Sequence, residues 1–147
     1  MNLQTLRTTL TNQLAALALD TPFQTPDQQR SRNFTLHEFN ADTLTIQTQR
    51  GANVRIPIEA FFRTLIHLHE ISASEAAPCR VGSSNRDPLA GGLCSVARGT
   101  NGRTRVINYV LPILERLGWV QVNGRRRPNT AWLNPSLAQL TGGEQQP

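Results

Sequence analysis

The stretch "RTRVINYVLPILERLGWVQVNGRRRPNTAWL", Arg103 to Leu133, packs seven aliphatic residues into a helix-like run, halts at a glycine, and then delivers three consecutive arginines. Thr104 suits a helix cap, and Ile107, Val110, Leu114 and Leu117 then share one stripe, widened by Val106, Leu111 and Ile113. Gly118 stands where a helix ends in a left-handed residue. The other side of this predicted helix carries Arg105, Asn108, Tyr109, Pro112 and Arg116. Pro112 takes away the donor that would meet the Asn108 carbonyl and predicts a bend, at a cost of about 3 kcal/mol unless packing relieves it. "WVQV" and "TAWL" alternate as short strands, and "NGRRRPN" between them is rich in turn residues and charge.

Outward from this stretch, the charge is lopsided. The chain has 147 residues and a net charge of +5, and all fifteen of its basic residues are arginine. Residues 1 to 79 hold six arginines against seven acidic residues, whereas residues 80 to 127 hold nine against Asp87 and Glu115 alone, a local net of +7. That asymmetry is the footprint of a chain that meets a polyanion with its second half. At 38% hydrophobic and 17% charged, the composition supports a packed core. Cys79 and Cys94 are isolated, and the first twenty residues lack a signal-peptide pattern, which points to a reducing, cytoplasmic setting. No run approaches the roughly 20 apolar residues of a membrane span.

Toward the N-terminus, Leu3, Leu6, Leu10, Leu14 and Leu17 step by three or four and predict an amphipathic helix. Pro22 and Pro26 interrupt the next segment, so residues 20 to 32 read as a linker. From Asn33 the period becomes two. "NFTLHEF", with Phe34, Leu36 and Glu38 in alternation, "TLTIQTQ" and "NVRIPI" predict a three-stranded antiparallel meander with turns at Asn40–Asp42 and Arg50–Gly51. Pro57 suits the start of a second helix, Ile58 to Ile71, built on Phe61, Phe62, Leu65, Ile66, Leu68 and Ile71. "CRVGSSN" reads as a short strand entering a turn. Asp87 and Pro88 suit a cap and first position, but Gly91 and Gly92 each cost a helix about 1 kcal/mol, so the next helix starts as "LCSVAR" and breaks at "GTNG".

This order, a helix, a small strand, the short helix "LCSVAR", the turn "GTNG", a longer helix, then a glycine and a charged hairpin, resembles the winged helix-turn-helix family of DNA-binding domains over residues 58 to 134. The resemblance implies an α+β protein in which an N-terminal helix and meander, residues 1 to 57, serve interaction or dimerisation. A winged helix-turn-helix, 58 to 134, would bind DNA, and 135 to 147 would form a flexible tail. By the family's pattern Arg103, Arg105, Asn108 and Tyr109 lie on the recognition helix, where arginine suits guanine and asparagine adenine. Arg125, Arg126 and Arg127 at the wing meet phosphates or a narrow minor groove. Thr100 and Asn101 at the corner donate to phosphate.

Several residues keep a second reading. The arginine triplet is either a grip on DNA or a solvated turn, and Tyr109 serves either core packing or a backbone contact. Glu115 and Arg116 read as surface charges, the arginine favourably placed for the helix dipole. The leucine stripe either docks on the chain's own meander or forms a homodimer surface through Leu3, Leu6, Leu10, Leu14 and Leu17. His67 and His69 point about 200° apart on a helix, so no metal is expected. No cofactor is expected either. The lack of lysine and the scattered carboxylates argue against phosphate-loop and nuclease chemistry. The expected function is a non-catalytic double-stranded DNA-binding protein, a transcriptional regulator acting as a homodimer. The alternative is an accessory DNA-binding subunit of a larger complex of the restriction, transposition or CRISPR type.

Overall fold

The computed structural model describes residues 3–26, 31–40, 42–81, 106–125 and 129–135. Along the chain these form α1 (Leu3–Ala16), β1 (Pro22–Gln24), β2 (Asn33–Asn40), β3 (Thr43–Thr48), β4 (Asn53–Pro57), α2 (Ile58–Glu70), β5 (Cys79–Arg80), α3 (Ile107–Arg116), β6 (Val120–Asn123) and β7 (Thr130–Leu133). The protein is mixed α+β. A four-stranded antiparallel sheet runs β1-β2-β3-β4, and a smaller one runs β5-β7-β6. The expected helix "LCSVAR", the turn "GTNG", the Asp87–Pro88 cap and the cap at Thr104 lie outside the described residues, as does the tail beyond residue 135.

The meander has one strand more than the alternation predicts, and part of the expected linker is that strand. Proline is tolerated on a sheet edge because no ladder bond is asked of its nitrogen. Pro22 begins β1 there, and Phe23 turns inward to stack on Phe34 with ring centroids 5.5 Å apart. Alternation also fails within β2. Leu36 pairs with Ile46 but Glu38 pairs with Thr45, so His37 is an extra residue and the pairing parity shifts. Beyond it Glu38 is exposed and Phe39 packs on the core.

The destination of the leucine stripe is settled by burial. Leu6, Leu10 and Leu14 are 4%, 0% and 1% exposed, Leu17 is partly buried, and only Leu3, at 52%, faces solvent. Three of the five residues expected to form a homodimer surface, Leu6, Leu10 and Leu14, are therefore taken up by the chain's own core. Helix α1 lies against α2. The Arg7 guanidinium pairs with Glu59 at 2.6 Å and sits 4.3 Å from the Phe62 ring centroid, and Gln13 accepts the Trp119 indole N–H at 2.6 Å.

Helix α2 is the hub, touching α1, β4, α3 and β7. Pro57 precedes its first turn, Ile58 N–H donates to the Asp42 carbonyl, and Ile58, Phe61, Phe62, Leu65 and Leu68 are buried. Ile71, expected within the helix, is its exposed C-cap. Buried residues on both sides of residue 57 belong to one hydrophobic cluster, running from Leu6 to Trp132. Among the described residues no helix is long and apolar enough to cross a membrane.

Both α2 and α3 end in the same paired motif. Ala73 N–H reaches the Leu68 carbonyl and Ser72 the His69 carbonyl; Trp119 reaches Leu114 and Gly118 reaches Glu115. The left-handed residue is Ser72 (φ 53°) in the first and Gly118 (φ 88°) in the second. An L side chain pays for that conformation and glycine does not. Ser72→Gly is expected to raise stability by about 0.5–1 kcal/mol, and Gly118→Ala to lower it by about 1 kcal/mol. No atom lies within 4 Å of a Cβ added at Gly118, so that cost is conformational and not steric. Opposite shifts of the urea midpoint are the check.

Candidate nucleic-acid interface

Helix α3 sits in the protein by its apolar side. Ile107, Val110, Leu111, Ile113 and Leu114 are buried, and Val106 before them is too. Pro112 lies within the helix, which continues past it to a Leu117 N–H on the Ile113 carbonyl at 3.0 Å. Asn108 and Tyr109 are half-buried, whereas Glu115 and Arg116 are exposed. Gly118 then turns the chain at once into the β6–β7 hairpin. The Glu115 carboxylate accepts the Val122 N–H at 3.2 Å, tying the end of the helix to that hairpin. Desolvation raises the Glu115 pKa, and the Val122 bond works against that rise.

Of the residues expected to meet DNA, Asn108, Tyr109 and Arg125 are described; Thr100, Asn101, Arg103, Arg105, Arg126 and Arg127 lie outside the described residues. Arg125 is exposed at the start of the hairpin tip, and its backbone N–H donates to Asn123 Oδ1 at 3.1 Å, a side-chain turn that shapes the loop. Asn108 and Arg125 thus sit on the two parts of the chain that the arginine-rich reading joins, helix and hairpin. The Tyr109 ring meets Phe34 edge-on, centroids 5.1 Å apart at 77°. It packs α3 onto the meander.

Arg116 has a more specific place than a surface charge. Its guanidinium lies 4.6 Å from the Phe23 ring centroid, on the strand that the prolines hide from sequence reading. Pro22 and Pro26 mask the one local signal, that Phe23 is an inward strand residue, and nothing near it in sequence points to Arg116. An open groove of about 980 Å³ runs beside this contact, lined by β1, the Pro112–Arg116 side of α3 and the end of β6. Helix α3 is therefore flanked by β1 toward its C-terminal end.

Other candidate chemistry is sparse. Among the described residues no group of three or more His, Cys, Asp or Glu is arranged to hold a metal ion. Cys79 is buried on β5 and its thiol pKa is pushed up by desolvation, which disfavours the reactive thiolate. His67 and His69 lie in the last turn of α2. No family model matches the chain, and no curated protein and no solved structure is detectably similar to it.

Proposed function

We propose that this chain binds double-stranded DNA without catalysis, through Arg103 and Arg105 leading into α3, Asn108 in its first turn, and the cationic tip of the β6–β7 hairpin. The observation that carries the reading is the junction at Gly118. A helix held by five buried aliphatic residues passes directly into a hairpin whose tip starts the Arg125–Arg127 run. The element order supports the winged helix-turn-helix resemblance: α2, the short strand β5, α3, then a hairpin whose return strand β7 lies between β5 and β6. Nine arginines against two acidic residues between 80 and 127 supply the attraction to phosphate. The direct experiment is a gel shift of the full chain on random-sequence duplexes at two salt concentrations. Binding that weakens steeply with salt supports the proposal, and no shift at low salt overturns it.

Between the two expected roles, one observation favours the accessory subunit over the homodimeric regulator. Leu6, Leu10 and Leu14 are buried inside the chain, so the stripe offers no symmetric surface for reading a palindrome. Sedimentation of the protein on DNA separates the roles: a monomer on an asymmetric footprint fits the accessory subunit, and a dimer on an inverted repeat fits the regulator.

A further inference from the structure

Two strand edges open onto the groove beside Arg116. The Thr25 N–H on the Arg32 carbonyl and the Leu36 N–H on the Thr21 carbonyl mark Thr21, Phe23 and Thr25 as the residues bonded to β2. In an antiparallel pair the backbone groups of the intervening Pro22 and Gln24 then point to the free side. The same parity applies in the small sheet, where the Asn134 N–H on the Trp119 carbonyl turns Val122 away from β7. Glu115 takes the Val122 N–H. The Val122 and Pro22 carbonyls and both backbone groups of Gln24 have no partner among the described residues. Pro22, Gln24 and Val122 all line the one groove.

Arg116 adds a fixed cation to these edges. Phe23, which holds its guanidinium plane, is itself stacked on Phe34. No carboxylate pairs with Arg116 among the described residues, so its fork of donors is presented already oriented. Glu115, the other charged residue of the groove, is engaged by the hairpin backbone.

We infer that the groove receives an extended acidic segment of a partner protein, its backbone added to the free edge of β1 and one carboxylate held by Arg116. Three unpartnered carbonyls call for N–H donors, which a peptide backbone supplies and a phosphodiester lacks. A nucleic-acid strand would have to place its phosphate oxygens against those carbonyls, acceptor facing acceptor. Pro22 offers no donor at its position, which restricts the register in which a strand can add. Arg116 forms a bidentate pair with a carboxylate and so selects for acidic sequence.

The test uses a phage library of random 12-residue peptides selected on the full chain, with an enriched peptide resynthesised and labelled. The expected result is enrichment of peptides bearing Asp or Glu among strand-forming residues. Gln24→Pro and Arg116→Gln should each weaken binding by about tenfold or more. Gln24→Pro removes no bond to β2, and a melting curve checks that each variant folds. On the unmutated chain, the Gln24 amide should exchange more slowly with peptide bound, a readout independent of any variant. Duplex DNA should leave the peptide in place. The inference is overturned if no peptide is enriched, if both variants bind unchanged, or if Gln24 exchange is unaffected. It is also overturned if duplex DNA displaces the peptide, which would give the groove to nucleic acid, or if the protein self-associates and Gln24→Pro abolishes that, which would give it to a second copy.

Discussion

Phe34→Ala lowers the stability of the entire chain, by about 3–5 kcal/mol, and does so in a single transition. Phe34 is 2% exposed, stacks on Phe23 across the β1–β2 pair and makes a T-shaped contact with Tyr109 of α3. Truncation removes the transfer energy of the ring and leaves a void that β1, β2 and α3 share. Each aromatic pair is worth roughly 0.5–1.5 kcal/mol beyond its buried area, which places the loss toward the upper end of the range. A domain of this size has only about 5–15 kcal/mol to lose. Trp119 and Trp132 both lie beyond residue 57, so their fluorescence reports on the second half of the chain. In urea, the fluorescence and far-ultraviolet midpoints should fall together with an unchanged slope. Phe39→Ala, beyond the His37 bulge and only partly buried, should cost markedly less. A fluorescence midpoint that stays put while the far-ultraviolet midpoint drops would mean that the two halves fold independently.

The same contacts mark what periodicity can and cannot convey. A repeat of three and four residues identifies the apolar side of α1, α2 and α3, and the paired bonds at Gly118 close α3 where the glycine predicts. Periodicity says nothing of what covers that side. The leucines of α1 read equally well as a dimer surface, and only the packing of α1 on α2 decides against it. Strand β1 is hidden for a different reason: three residues that begin at one proline and end two short of another hold no local signal, and the segment becomes a strand because β2 offers it an edge. The His37 bulge likewise depends on how β2 pairs with β3. Arg116 shows the consequence at the candidate site. Its partner, Phe23, is ninety-three residues away in sequence, and a contact at that distance leaves no mark on local pattern.

Replacing Arg125, Arg126 and Arg127 together with alanine is expected to flatten the salt dependence of DNA binding while leaving the fold intact. In the proposed interface each arginine neutralises one phosphate and adds about 0.9 to the slope of log K against log salt. Losing three reduces the slope by up to about 2.7, so over a fourfold rise in salt the unmutated chain loses about 40-fold more affinity than the variant. The hairpin should survive, because the bond that Arg125 makes to Asn123 comes from its backbone N–H, which alanine keeps. Lysine in all three places separates charge from shape: a retained slope with retained affinity means simple phosphate contacts, whereas lost affinity means that the planar guanidinium is used, as in a narrow minor groove. Asn108→Ala provides the contrast within the same assay. A residue that reads a base changes which sequences are preferred and leaves the slope alone, so a uniform loss across all sequences removes Asn108 from the base-reading role. An unchanged slope in the triple variant removes the hairpin tip from the interface, and with it the reason for coupling an aliphatic helix to a run of arginines.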